Sequence, residues 1–332
     1  MTKVYKIIFS LIFLLTASEQ VFAEDYRQVL NLNGIWKFTI GDDPAYALPE
    51  YNDLNWDYLQ VPGIWENQGF NGYDGYAWYR TSFDGSTLNA VEFLYLNLGY
   101  IDDVDEVYLN GELIGMTGSF PPNFYTAYRA LRRYAIPKEL INTSGENTIA
   151  VRVYDVVHEG GIVSGNIGIE QYLNIPSGMI NLAGLWKFKT ISHMIYRHPD
   201  ADDMGWEYKM VPGYWKEKHI KGGEAFAWYR KKFTLGEEAD KNDWVLVLGR
   251  IDDFDEVYIN GKFVGETNDG LPFGMSGSWR KVRAYPIENG VLQKGENLIA
   301  VRVEDMGLDA GIYQGPVGLV PKENLEQVLR LF

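Results

Sequence analysis

Two acidic runs are the residues of this 332-residue chain whose types and spacing could do chemistry: Asp102-Asp103-Val104-Asp105-Glu106 and Asp252-Asp253-Phe254-Asp255-Glu256. Clustered carboxylates have three ordinary uses. They tie loops, by hydrogen bonds or by ion pairs with Arg80 or Arg152 and, for the second run, Arg230 or Arg302. They supply oxygen ligands to calcium at ~2.4 Å, with Asp102, Asp103, Asp105, Asp252, Asp253 and Asp255 as the candidate ligands. A pair of them can also cleave a glycosidic bond as acid and base. Glycoside cleavage needs one pair in one cleft, whereas both runs stand before the same strand-like segment. The pattern therefore favours loop-tying first, calcium second and catalysis last.

Nucleophilic chemistry has less to stand on. A serine triad needs a histidine near a serine with a third group to orient it. None of the four histidines, His158, His193, His198 and His219, has a histidine partner 150 residues away, and no Gly-x-Ser-x-Gly elbow occurs. Only His158, next to Glu159 in a glycine-rich loop after a strand-like segment, stays a candidate.

The aromatic content points to binding. The chain has 10 Trp, 23 Tyr and 16 Phe, and exposed rings bind sugars by covering their apolar C–H faces while polar neighbours take the hydroxyls. Trp36, Trp56, Trp65 and Trp78 recur 150 residues later as Trp186, Trp206, Trp215 and Trp228, which reads as core packing. Aromatics that differ between the halves and fall on loops are better ligands. The candidate carbohydrate-binding residues are Tyr73, Tyr76, Tyr125, His158, Glu159, Phe226, Phe273 and Trp279, with Phe120 and Phe124 nearby. The competing role for these rings is to anchor their own loops.

The recurrence of tryptophans is one part of a whole-chain duplication. Val61-Pro62-Gly63-Ile64-Trp65 returns as Val211-Pro212-Gly213-Tyr214-Trp215, Ala77-Trp78-Tyr79-Arg80 as Ala227-Trp228-Tyr229-Arg230, and Ile149-Ala150-Val151-Arg152-Val153 as Ile299-Ala300-Val301-Arg302-Val303. A period this long is a duplicated domain, not a solenoid repeat. The expected organisation is a signal peptide at 1–23, copy one at 24–174, copy two at 175–324 and a short helical tail at 325–332. Leu325, Val328, Leu329 and Phe332 have helical spacing and predict a helix lying on copy two. Within each copy, Asn110-Gly111 and Asn260-Gly261 sit between β-rich segments and predict two-residue hairpins. Short strands separated by Gly, Pro and Asp clusters predict an all-β fold of two tandem antiparallel β-sandwich jelly rolls.

Composition excludes several classes. A net charge of −15 argues against nucleic acid and against anionic polysaccharides, although Arg280, Lys281 and Arg283 form a local basic patch. There is no cysteine, so disulfides and thiolate chemistry are out. Lys3 and Lys6, the apolar run 7–15 and Val21-Phe22-Ala23 form a secretory pattern, implying an exported protein, periplasmic or extracellular, with no membrane span.

The order Gly34-Ile35-Trp36-Lys37-Phe38, Val61-Pro62-Gly63-Ile64-Trp65, Trp78-Tyr79-Arg80, Asp105-Glu106-Val107-Tyr108-Leu109-Asn110-Gly111 and Ile149-Ala150-Val151-Arg152-Val153, present twice, resembles the galactose-binding-like jelly roll of glycoside hydrolase family 2, the sugar-binding domain of β-galactosidases and β-glucuronidases. Gly311-Ile312-Tyr313 and Gly315-Pro316-Val317-Gly318, after the second acidic run, are similar to accessory jelly rolls of sialate O-acetylesterases. The resemblance covers the mature chain and implies a carbohydrate ligand. In those families catalysis sits on a separate TIM barrel or hydrolase domain, and neither pattern occurs here. The expectation is an exported, non-catalytic carbohydrate-binding protein acting in glycan recognition or degradation, without a cofactor other than structural calcium. The alternatives are a glycosidase or esterase relative with hydrolytic activity, or a docking subunit for a separate glycan hydrolase.

Overall fold

The computed structural model describes residues 25–214, 225–240, 243–268, 277–305 and 310–332. The secretory pattern at 1–23 and the candidate Phe273 lie outside these. Nearly all regular structure is antiparallel β, arranged as one five-stranded and one six-stranded sheet per copy. In copy one the five-stranded sheet runs Tyr26–Asn31, Gly168–Tyr172, Leu94–Asp102, Gly161–Ser164, with Leu131–Ala135 also paired to Leu94–Asp102. The six-stranded sheet runs Asp57–Val61, Gly34–Ile40, Gly75–Asp84, Glu146–Asp155, Val104–Leu109, Glu112–Thr117. Copy two repeats both orders with its own strands, from Ile180–Asn181 to Gly318–Pro321.

Local sequence explains the turns. Asn110 and Gly111 both have positive φ (51° and 84°), as do Asn260 and Gly261 (51° and 80°), the conformation that a two-residue hairpin with right-handed strand twist requires. Alternation then decides the faces. Leu94, Leu96 and Leu98 point inward from one sheet to meet Trp36, Phe38, Val107 and Val151 of the other in a single apolar cluster. Leu246 and Leu248 meet Trp186, Val257 and Val301 in the same way. Each copy is thus a β-sandwich. Trp36, Trp65, Trp78, Trp186 and Trp228 are fully buried, and Trp36 and Trp186 each donate an indole N–H to a leucine carbonyl at 2.8 Å. The repeated tryptophans among the described residues are core, as their spacing implied, and Trp215 lies outside the described residues.

The copies touch. Strand Glu112–Thr117 lies against Gly184–Thr190 and Glu207–Val211, and Met210 packs onto the apolar cluster of copy one. The C-terminal helix is Leu325–Leu329; it buries Val328 against Val245, Val247 and Val320 of copy two, as the tail's spacing predicted.

A buried ion pair sits at the same place in both sandwiches. Arg132 donates from Nε to Asp105 at 2.7 Å, both side chains without solvent exposure, and Tyr134 donates its hydroxyl to the same carboxylate at 2.5 Å. Arg283, Asp255 and Tyr285 repeat the arrangement at 2.7 and 2.5 Å. Burial pushes both carboxyls upward in pKa, and the guanidinium and hydroxyl oppose it. This corrects two expectations. Arg80 and Arg230 do not reach the acidic runs, holding Asp53 and Asp203 at 2.8 Å, whereas Arg152 and Arg302 do pair with them as expected, with Glu106 at 2.9 Å and Glu256 at 2.7 Å. Arg283 belongs to no basic surface patch, being 1% exposed.

Removing one partner of a buried pair strands the other charge, at a cost of about 3–5 kcal/mol. Arg132→Leu is expected to lower the melting temperature sharply, and Asp105→Leu combined with Arg132→Leu to recover part of the loss. Equal melting temperatures for parent and Arg132→Leu in differential scanning calorimetry would contradict the role given to this pair.

Candidate functional site

The strands bring three carboxylates together at one end of copy one. Asp102 closes strand Leu94–Asp102, Asp103 stands just before Val104–Leu109, and Asp155 closes Glu146–Asp155. Pairing of Tyr154 with Val104 and of Gly161 with Asp102 draws these ends into one corner. Carboxylate oxygens of Asp102, Asp103 and Asp155 all lie within 4.8 Å of one another.

Each carboxylate has a different environment. Asp103 accepts from the Thr126 hydroxyl and from the Val156 N–H at 3.1 Å. Its carbonyl accepts from the Ala127 N–H at 3.1 Å and from Arg132 Nη2 at 2.8 Å. Asp155 is fully buried; it accepts one bond from the Val157 N–H at 3.3 Å, and its Oδ2 has no hydrogen-bond partner. Burial, followed by the charge of Asp103, pushes the Asp102 carboxyl up to about 7. Burial also pushes Asp155 up to about 7, with Asp103, Asp74 and Glu66 adding to it against the Val157 N–H. A buried lone pair among like charges is what a hard cation would relieve.

Two loops converge on this corner. One carries Tyr125, 58% exposed, and the exposed Tyr128; Thr126 and Ala127 fasten it to Asp103. The other, 156–160, is fastened by the Val156 and Val157 N–H groups and, through Gly160, by Glu66; it exposes Val156, Val157, His158 and Glu159. Tyr125, His158 and Glu159 are therefore brought to the rim of the acidic corner.

The remaining candidates scatter. Tyr73 packs on Trp65 and donates its hydroxyl to the Tyr76 carbonyl at 2.7 Å, so it anchors its loop. Tyr76 and Phe120 stack with an interplanar angle of 6°, both against the Arg152 guanidinium, and Phe124 packs edge-on to Tyr154. Phe226 lies under Arg302 at 3.9 Å. Trp279 is 39% exposed beside Arg280, and its carbonyl accepts from Tyr313, which stacks on Tyr214 at 5.0 Å.

Of the candidate metal ligands, Asp102 and Asp103 join the corner and Asp105 does not, because Arg132 and Tyr134 occupy its two oxygens. Asp255 is taken in the same way by Arg283 and Tyr285. Asp252 and Asp253 hold the places of Asp102 and Asp103, with Asp253 buried. Sequence reading missed Asp155. Its signal was available, since Asp305 follows the second Ile299-Ala300-Val301-Arg302-Val303 segment at the same distance. Three carboxylates whose ligand oxygens lie within 4.8 Å of one another form a donor set that suits a hard cation.

With divalent ions chelated, raised carboxyl pKa values mean that the folded protein keeps protons which the unfolded chain has lost. Stability therefore falls as pH rises from the ordinary carboxylate range through about 7. Asp155→Asn is expected to flatten this slope and raise the melting temperature near pH 7.5 by about 2–4 °C. Melting curves of parent and variant measured across that range check it, and parallel slopes would contradict it.

Comparison with known proteins supplies the family. A family model described as the β-galactosidase second all-β domain matches residues 41–159 and 195–309, one segment in each copy. A Formosa agariphila protein named "Putative beta-glucuronidase" is 32% identical over 142 residues, which are 39% of this chain and 13% of that protein. Among solved structures, Bacteroides uniformis β-glucuronidase 2 bound to cyclophellitol-6-carboxylate aziridine aligns at 14% identity and a TM-score of 0.38 over 87% of this chain and 28% of its own. A glycoside hydrolase family 2 β-galacturonidase from Eisenbergiella tayi bound to galacturonate aligns at 16% identity and a TM-score of 0.33, over 86% and 38%. The chain spans a minor part of each of these proteins.

Proposed function

Since the chain belongs to the β-galactosidase second all-β domain family, we propose that it is an exported, non-catalytic carbohydrate-binding module. In this reading its two sandwiches are galactose-binding-like jelly rolls, and it serves glycan recognition or degradation outside the inner membrane beside a separate glycan hydrolase. No helix among the described residues is long and apolar enough to cross a membrane.

The observation that carries this reading is the fastening of two loops with exposed aromatic and apolar side chains to one carboxylate corner. Tyr125 offers a ring face for the apolar side of a sugar, while His158 and Glu159 offer polar groups for its hydroxyls. Asp102, Asp103 and Asp155 fit calcium by donor type and by the unpartnered Oδ2 of Asp155. Calcium there would neutralise the corner and stiffen both loops.

A ligand that binds only the native state raises the melting temperature. Calcium is expected to stabilise the parent and to have no effect on Asp103→Asn. Tyr125→Ala is expected to weaken oligosaccharide binding about tenfold in isothermal titration with its melting temperature unchanged. Titrations in which Tyr125→Ala binds as the parent does would remove this rim as the site.

A further inference from the structure

The two copies put different chemistry on one equivalent sheet face. In copy two, the outer face of the five-stranded sheet presents Val245, Val247 and Val320 with Ala284, and the C-terminal helix covers it. Strand register identifies the counterparts in copy one. The Val245–Val320 pair corresponds to Tyr95–Glu170, and Val247–Ala284 corresponds to Asn97–Arg133. Three apolar side chains and an alanine have become a tyrosine, an amide, a carboxylate and a guanidinium. Tyr26 and Tyr172, paired across neighbouring strands, complete the face.

Among the described residues no helix lies over this face. It lines a cavity of about 440 Å³ whose opposite wall, including Asn181 and Met210, comes from copy two. That volume falls in the ~300–1,000 Å³ range of small-molecule sites. The three tyrosines touch one another, with ring centroids 5.4 Å apart for Tyr26 and Tyr95 and 5.0 Å for Tyr26 and Tyr172. The Arg133 guanidinium lies 3.8 Å from the Tyr26 ring centroid. Its Nε donates to Glu170 at 2.8 Å, and Asn97 donates to the other Glu170 oxygen at 2.7 Å. Glu170 thus fixes Arg133 and cancels its charge, leaving the terminal guanidinium nitrogens as donors. Burial holds the Tyr26 hydroxyl well above the ordinary tyrosine range, so it stays protonated.

We propose that this cleft between the copies is a second binding site, for a neutral pyranose sugar. The tyrosine rings cover the apolar face of the sugar, and Arg133, Asn181 and the tyrosine hydroxyls reach its hydroxyl groups. A neutral sugar is specified because Glu170 already balances Arg133 and Asp25 on the rim repels a carboxylate. The proposal rests on the carbohydrate-binding reading above and adds a place and a ligand class to it.

The test is isothermal titration of the full mature chain with neutral and uronate oligosaccharides, with melting temperatures as fold controls. Tyr172→Ala is expected to weaken neutral-sugar binding at least tenfold, and Tyr172→Phe to keep most of it. Ala183→Trp, which fills the cavity from the copy-two wall and removes no sheet partner, is expected to abolish binding there and decides the matter if Tyr172→Ala does not fold. Tyr125→Ala is expected to leave the cleft constant unchanged. Parent-like binding by Ala183→Trp would overturn the cleft while carbohydrate binding stands. A tenfold preference for uronates would overturn the neutral ligand. A parent that binds no saccharide would overturn both the cleft and the carbohydrate reading.

Discussion

A carboxylate sealed from water has to be answered by a positive charge, and the end of each sandwich is organised around that requirement. Arg132 answers Asp105 with its Nε, and its terminal nitrogens take the carbonyls of Ala127 and Ala130 at 2.6 Å and of Asp103 at 2.8 Å. One side chain therefore ties strand Val104–Leu109, strand Leu131–Ala135 and the loop between Glu112–Thr117 and Leu131–Ala135. By holding the backbone of Asp103, it also sets where the carboxylates of the acidic corner stand. Arg283 does the same for the carbonyls of Lys281 at 2.7 Å and Asp253 at 2.6 Å.

Duplication made the frame and released the surfaces. The residues that keep their identity between copies are those whose replacement would leave a void or a stranded charge: the buried tryptophans, the Asp–Arg–Tyr group and the Asn-Gly turns. Positions facing outward carry no such cost, and there the copies diverge. Val247 lies under the C-terminal helix in copy two, while its counterpart Asn97 joins a polar network with Glu170 and Arg133. The loops over the acidic corner bear Tyr125 and Tyr128 in copy one only. The functional reading follows this divergence, since both proposed sites lie on copy one or at its border.

Features encoded by neighbours in sequence were legible in advance. The hairpins, the tryptophan core, the duplication and the C-terminal helix all depend on residues a few positions apart or on the repeat itself. Features that depend on which strands pair were not. Asp105 and Arg132 are separated by 27 residues, and nothing in their local pattern joins them, so Arg283 read as part of a surface patch. Asp155 joins Asp102 only because sheet pairing brings two distant strand ends together. Tyr26, Tyr95, Tyr172 and Arg133 come from four strands. Their signal lay in the comparison of copies, where Tyr95, Asn97 and Glu170 stand in place of Val245, Val247 and Val320. The aromatics chosen from loops divided by packing: Tyr73, Tyr76 and Phe226 are spent on neighbours, and Tyr125 is not.

The central claim is that binding is confined to the acidic corner of copy one and to the cleft that copy one shares with the facing wall of copy two. Hydrogen exchange of the protein, with and without calcium and a bound oligosaccharide, tests it most directly, because exchange resolves protection segment by segment. The account predicts new protection in Tyr26–Asn31, Leu94–Asp102, Gly168–Tyr172 and the loops at 118–130 and 156–160. It predicts no change in the copy-two strand Val282–Pro286 or the C-terminal helix. Protection of Val282–Pro286 equal to that of these segments, or protection confined to copy two, would contradict it.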